Sequence, residues 1–363
     1  MKKVGKIILC AVIVLVLAAG GITWSFLPHP LNYAIGSIQP VGSSLSVVNA
    51  AEDEVTVKKD SEGDYKILMF TDMHLDGKNS TSKLTVGRMV ESIQKEKPDL
   101  VLLCGDNVTS ALNRVRCRQL GKIFEKLGVY WAGVLGNHEG DNPMSIKRDE
   151  MMDEFCAFDH CLMQKGPADV TGDCNYSLNL LDADGELAQT FYFLDTFDEM
   201  NAEQLAQYGY APDESVYDGT KEDQVEWFRQ KQNDTKEAFG LHPSILMVHI
   251  PLPQFQTALD EGAPFLFGDK REGICCSGFD SGLFDAIRAG GSTQAVFCGH
   301  DHVNNFGVRY EGVLLSYIEM SGYGSYSLYS RGEPEETWLQ GYTALEIRAD
   351  GSFDQRQVRY VDS

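Results

Sequence analysis

Five short polar motifs, each set directly after a short apolar run, constrain this chain more than any other feature. Ile67–Phe70 leads into Asp72, Met73 and His74, and Leu100–Leu103 into Gly105, Asp106 and Asn107. Val129–Val134 leads into Gly136, Asn137, His138 and Glu139. Ile245–Val248 is followed by His249, and Ala295–Cys298 by Gly299, His300, Asp301 and His302. Runs of that length, rich in Val, Ile, Leu and Phe and bounded by Gly, Asn and Asp, read as buried strands. Such strands deliver Asp, Asn and His side chains at their carboxyl ends, where α/β sheets build their sites. Carboxylate, amide oxygen and imidazole form the donor set that two adjacent divalent cations of intermediate hardness need. A lone His or Asp at a strand end is ordinarily just a hydrogen-bonded terminus. Here five of the eight histidines fall inside the motifs, which chance placement explains poorly; His29, His160 and His242 are left as surface or loop residues. The pattern implies hydrolysis at a dinuclear metal centre.

The segments between the motifs alternate in period. Leu84–Lys97 carries Leu84, Val86, Met89, Val90 and Ile93 close to helical spacing, and Pro98 ends it. Val115–Leu127 reads as a second helix with Gly128 as its stop. Strand, helix, strand, helix, strand is the alternation of a mostly parallel sheet. Further on, a short helix is expected over Lys147–Phe158, inside a long insertion between Met144 and Cys174. A hairpin is expected from Asn175–Leu181 and Thr190–Asp195 around the turn Asp182–Gly185. Thr220–Ala238 reads as a helix with Val225, Trp227, Phe228 and Phe239 facing inward, Trp227 as core rather than as a substrate platform. Pro251–Cys276 reads as an irregular loop over the site. The C-terminal part is strand-rich, with Val313–Ile318, Tyr342–Arg348 and Gln355–Tyr360.

The N-terminus differs from the rest. Lys2, Lys3 and Lys6 precede an apolar stretch from Ile7 to about Ile22. That pattern fits a single membrane span with its N-terminus inside, or a signal peptide processed near Ala18–Gly21. Residues 1–28 are therefore expected to be an anchor or signal, 29–62 a Pro-, Gly- and Ser-bearing linker or stalk with Val55–Val57 as a candidate edge strand entering the domain, and 63–363 one catalytic domain. The domain would then lie outside the cell, held at the membrane or secreted. A net charge of −22 argues against a nucleic-acid partner, since phosphate backbones are bound by clustered Lys and Arg. Nine cysteines leave eight beyond the apolar segment, an even number that permits disulfides. Cys104 and Cys298 lie in expected strands as packing thiols. Cys117, Cys156, Cys161 and Cys174 lie where a bridge is plausible, and the adjacent Cys275 and Cys276 read as structural.

Together and in this order, the five motifs resemble the calcineurin-like metallophosphoesterase superfamily over about Tyr65 to Asn305. Cys275–Ser277, Gly282–Phe284, Ala295–Phe306 and Ser321–Tyr326 are similar to its purple-acid-phosphatase-related branch. The resemblance implies a four-layer α/β/β/α sandwich with two mixed β-sheets and the site at one edge. It implies two divalent or mixed-valence ions, Fe, Mn or Zn. Asp72, His74 and His302 would hold one, Asn137, His249 and His300 the other, and Asp106 would bridge them. His138 would be a catalytic residue without being a ligand, acting as general acid or as an electrostatic clamp, and Glu139 could orient its ring. Asp76 and Asp301 are expected to stay outside the ligand set. Purple acid phosphatases place a Tyr three residues after the bridging Asp; here Thr109 stands there, so their colour should be absent.

The expected activity is hydrolysis of phosphate esters by metal-activated water, as a phosphatase of phosphorylated small molecules or phosphoproteins. A phosphodiesterase or nucleotide hydrolase, or a non-catalytic cell-surface metal-binding protein, are the alternatives. The last is disfavoured because no ligand position is replaced.

Overall fold

A computed structural model describes residues 38–76 and 79–362. The expected N-terminal span or signal peptide lies outside those residues. Among the described residues no helix is long and apolar enough to cross a membrane.

The described chain opens on β1 (Leu45–Ala50) and β2 (Glu54–Lys59), an antiparallel pair. It continues through β3 (Tyr65–Phe70), α1 (Asn79–Glu96), β4 (Leu100–Cys104), α2 (Asn113–Leu127) and β5 (Tyr130–Val134). Here β3, β4 and β5 pair in parallel, the expected alternation. Val86, Met89, Val90 and Ile93 of α1 are buried, whereas Leu84 is exposed. Helix α2 stops as expected: Gly128 takes a left-handed φ of 68° and its N–H returns to the Phe124 carbonyl. Next come α3 (Arg148–Cys156) and the hairpin of β6 (Tyr176–Leu181) and β7 (Leu187–Phe193), followed by α4 (Ala202–Tyr208) and α5 (Glu222–Phe239). In α5, Trp227 is core, but Phe239, expected to face inward, is exposed. The remainder is β8 (Ser244–Met247), α6 (Gln254–Asp260), β9 (Phe265–Phe267), α7 (Leu283–Gly290), β10 (Thr293–Cys298), β11 (Gly307–Tyr310), β12 (Val313–Tyr317), β13 (Gly341–Ile347) and β14 (Phe353–Arg359).

Two mixed sheets result. One has five strands in the order β14-β13-β3-β4-β5, the other nine in the order β1-β2-β6-β7-β8-β10-β12-β11-β9. Alternation along the strands shows how they stack. Ile245 and Met247 of β8, with Ala295 and Phe297 of β10, join the core that also contains β3, β4 and β5. The intervening Leu246, Val248, Val296 and Cys298 face a second core with Val225 and Phe228 of α5 and Leu283 and Ile287 of α7. Val86, Met89, Ile93, Leu120 and Phe124 of α1 and α2 complete the first core. The architecture is thus an α/β fold with helices outside two facing mixed sheets.

Two expectations need correction. The stretch 29–62 is not linker throughout: the candidate edge strand at Val55–Val57 is part of β2, and β1 at 45–50 lies outside it as the edge of the larger sheet. Val55 and Val57 are fully buried, and β2 pairs in parallel with β6. Pro251–Cys276 is not wholly irregular either, since it contains α6 and β9.

Candidate metal centre

All five motifs sit one or two residues beyond a strand end, three on the smaller sheet and two on the larger. Backbone hydrogen bonds lace the turns together: Asp72 N–H to Gly105 O at 3.1 Å, His74 N–H to Asp106 O at 2.8 Å, and Gly299 N–H to His249 O at 3.1 Å. The turns are tight. Asp72, His74, Asp106 and His300 all have positive φ, between 43° and 75°, a conformation that costs an L residue energy and clusters at functional sites. The motif glycines make room: a Cβ on Gly105 would lie 2.4 Å from His249 Nδ1, and one on Gly299 would lie 2.0 Å from Thr71 Oγ1.

Acceptor atoms converge here on other acceptors. Asp72, His74, Asp106 and His302 each offer a ligand atom within 4.8 Å of the others, and all four are buried. Asp72 Oδ2 accepts from Thr71 Oγ1 and the His300 N–H, and Asp106 Oδ1 accepts the His138 N–H at 2.8 Å. Their other oxygens, Asp72 Oδ1 and Asp106 Oδ2, are buried without a hydrogen-bond partner. Asp72 Oδ1 lies 3.3 Å from His302 Nε2; Asp106 Oδ2 lies 3.5 Å from His74 Nε2 and 3.4 Å from His249 Nε2. The imidazoles cannot all supply the missing protons. His249 Nδ1 faces the Cys104 carbonyl at 2.7 Å and His302 Nδ1 the Tyr326 carbonyl at 2.8 Å. Each Nδ1 is thereby the donor, so in the neutral ring Nε2 presents a lone pair. Yet His249 Nε2 is 3.0 Å from Asn137 Oδ1, and His302 Nε2 is 3.1 Å from His74 Nε2. In the neutral ring the His249 lone pair would face the Asn137 oxygen, a repulsive contact in a buried site that a cation would relieve. The donor set therefore fits two metal ions.

The electrostatics of the cluster follow from the same geometry. Burial would raise the Asp106 carboxyl, but His249, His74 and His138 hold it well below the usual carboxylate range. Burial opposes charge on His249 too, yet Asp106 and Asp72 raise it to about 10. Burial dominates at His74 and His300, lowering them to about 4 and about 3. The carboxylates thus favour a proton on His249, while burial disfavours one on His74 and His300.

The remaining site residues are placed as follows. The ring of His300 packs edge-on against His249 and Tyr217, with centroids 5.3 and 4.3 Å away. His138 is half-exposed beside the cluster, its ring 5.5 Å from that of His74. Glu139 does not orient that ring. Its buried carboxylate instead accepts the N–H groups of Asp106 at 3.0 Å, Asn107 at 2.5 Å and Gly136 at 2.8 Å, clamping two motif turns together. Asp141, which sequence reasoning missed, is the group hydrogen-bonded to His138 Nδ1, and that bond raises the imidazole to about 9. Its only sequence signal was its place three residues after His138. Arg148 was also missed: its guanidinium holds the Gly136 carbonyl and Asp195. Asp301 keeps outside the cluster, accepting from the Tyr317 hydroxyl and the Cys275 N–H. Asp76 is likewise absent from it, its carbonyl taken up by Arg116. Tyr326 stacks its ring on His302 at 4.1 Å and turns its hydroxyl to Glu272, while Tyr323 packs against Tyr329 and Tyr360.

The chain is 29% identical over 318 residues to a protein of Arabidopsis thaliana named probable inactive purple acid phosphatase 29, covering 78% of each chain. It is 28% identical to that plant's probable inactive purple acid phosphatase 14, covering 73% of this chain and 72% of the relative. Phosphatase DCR2 of Saccharomyces cerevisiae is 25% identical over 70% of this chain and 46% of its own length. Among solved structures, a dimetal phosphatase from Danio rerio aligns at a TM-score of 0.48 and 14% identity, over 80% of this chain and 98% of that one. The family model for calcineurin-like phosphoesterases matches residues 65–304, the span that holds every one of the paired acceptors, and the chain belongs to that family.

Proposed function

We propose that this chain is an exported phosphatase that hydrolyses phosphate esters with two cations, Fe, Mn or Zn. Asp72, His74 and His302 would hold one, Asn137, His249 and His300 would hold the other, and Asp106 would serve both. The observation that carries this reading is the unpartnered Asp106 Oδ2, which faces one imidazole from each group at 3.5 and 3.4 Å. When bound, the cation pair attracts the phosphate group and lowers the pKa of water enough to make it a nucleophile at neutral pH. Asn137 contributes a neutral oxygen, which limits negative charge where a phosphate dianion must enter. His138 stands beside the cluster with Nδ1 tied to Asp141, so Nε2 is the nitrogen that holds a proton for the departing oxygen. Glu139 and Arg148 keep the Gly136–His138 turn in place. The net charge of −22 leaves attraction of an anionic substrate to the site itself. It favours phosphorylated small molecules or phosphoproteins over nucleic acid. Export rests on the basic-then-apolar segment before residue 28, as a single-pass anchor or a signal peptide.

One finding favours a second reading, a metal-binding surface protein without catalysis: the plant relatives are named as probable inactive enzymes. Against it, every position of the ligand set is an Asp, Asn or His. The purified full chain, analysed for metal and assayed on phosphomonoesters, diesters and nucleotides, separates the readings. Two ions with turnover of monoesters is the expected result. Two ions with no turnover on any substrate would establish the second reading.

A further inference from the structure

Cys156 ends α3, and Cys161 lies five residues on, where the chain rejoins β5. The loop between them is pinned from several sides. Trp131 and Cys161 form a β-bridge, and the Leu162 N–H reaches the Trp131 carbonyl at 2.8 Å. The His160 N–H and Nδ1 are bound by Glu125 of α2 at 2.8 and 2.9 Å. Phe158 fills the space over Gly121, where a Cβ would lie 2.1 Å from its ring. Inside this frame Cys156 Sγ reaches the Met163 carbonyl at 3.2 Å, two residues beyond Cys161, so the loop folds the end of α3 back onto the segment that carries the second thiol. Cys156 is exposed and Cys161 half-buried, both as thiols.

We propose that Cys156 and Cys161 are a redox site, closing to a disulfide that staples the end of α3 to the edge of β5. The oxidant is a low-molecular-weight disulfide such as oxidised glutathione. The Cys156 thiolate attacks one of its sulfurs, the S–S bond breaks, and one glutathione thiolate leaves and takes up the proton Cys156 gave to solvent. Cys161 then loses its proton and attacks the Cys156 sulfur of the mixed disulfide, expelling the second glutathione. Two protein thiols are oxidised and one disulfide is reduced to two thiols, with no net proton change. The asymmetry suits this order, because the attacking thiol must be accessible and the more acidic one. Of the eight thiols among the described residues, Cys156 is lowered, chiefly through Cys161, and the other seven are raised, chiefly by burial. The staple matters beyond its own loop, because α3 begins at Arg148, which holds the Gly136 carbonyl next to Asn137.

The test does not depend on activity. The full chain is equilibrated with oxidised glutathione, alkylated and cut with trypsin after Arg148 and Lys165. The fragment Asp149–Lys165 contains Cys156, Cys161 and no other cysteine. It should carry no alkyl group and be lighter by two hydrogen atoms, and thiol reductant should reverse this. In Cys161→Ser the same treatment should trap glutathione on Cys156, whereas Cys156→Ser should leave Cys161 without an adduct. Oxidation should raise the Tm of the wild-type chain by about 3–6 °C and leave that of the double serine variant unchanged. Alkylation of both thiols after oxidation, or a stable glutathione adduct on wild-type Cys156, would overturn the proposal.

Discussion

Asp106 shows how one residue can serve two turns at once. Its Oδ1 is used up in holding the His138 N–H, and its Oδ2 is left bare between His74 and His249. If that bare oxygen is shared by two cations, Asp106→Ala should lose both ions and nearly all activity, while His74→Ala should chiefly weaken one. Metal analysis of the purified variants checks this, and two tightly held ions in Asp106→Ala would sink the assignment. His138 is the residue whose value depends on the leaving group. General acid catalysis contributes about 10²–10⁴-fold, so His138→Ala should slow an alkyl phosphate far more than a nitrophenyl phosphate, with metal content unchanged. Equal losses would favour an electrostatic role. The Asp141 hydrogen bond lifts the imidazole from 6.5 to about 9; its protonated form is present below the raised pKa and lost above it. Asp141→Asn should therefore move the alkaline limb of the alkyl-phosphate rate profile to lower pH, and an unmoved limb would separate Asp141 from proton delivery. The ligand types were legible in the motifs, because a metal demands particular donor atoms. The partner of His138 was not, since Glu139 and Asp141 differ only in which way the chain turns after the motif.

At the scale of elements, strands and helices with strong periodicity were readable and short or charge-bearing ones were not. In β2 (Glu54–Lys59) the buried Val55 and Val57 are flanked by Glu54, Lys58 and Lys59, which reads as no more than a short edge strand within a linker. Lys59 is nevertheless buried, paired with Asp99 at 2.9 Å, a partner 40 residues away that no local window reveals. With three residues, β9 is too short for any period, and α4 and α6 have seven each. The strands inside the expected linker have a consequence for stability. Burying Val55 and Val57 contributes about 1.5–3 kcal/mol each, and Asp53 binds Trp227 Nε1 at 2.9 Å and Lys231 at 2.8 Å. A chain begun at Tyr65 would lose these and expose the edge of β6. It should aggregate or melt at least about 10 °C lower than a chain begun at Ile38. Equal melting of the two would show that β1 and β2 are dispensable.

At the scale of the whole molecule, the two sheets meet where the site is built, and their seam contains a buried acid. Glu319 follows β12 of the larger sheet, donates its N–H to Thr343 Oγ1 of the smaller at 3.0 Å, and faces Asn305. Burial raises its carboxyl from 4.5 to about 8. The folded state thus keeps this proton where the unfolded chain releases it, so stability falls as pH rises from about 4.5 towards 8. Glu319→Gln should remove that loss, gaining on the order of a few kcal/mol at alkaline pH and almost nothing below about pH 4.5. Urea midpoints on both sides of the window check the sign, and an equal effect at all pH values would assign the change to packing. The sequence by itself determined the donor types and the strand ends that carry them, because hydrophobic period and metal-ligand chemistry are both local. Only the tertiary structure decided which sheet each motif stands on, that the acceptors face one another, and which acids clamp turns rather than orient rings. Those are distances between residues far apart in the chain, set by how the two sheets stack, and no spacing along the sequence encodes them directly.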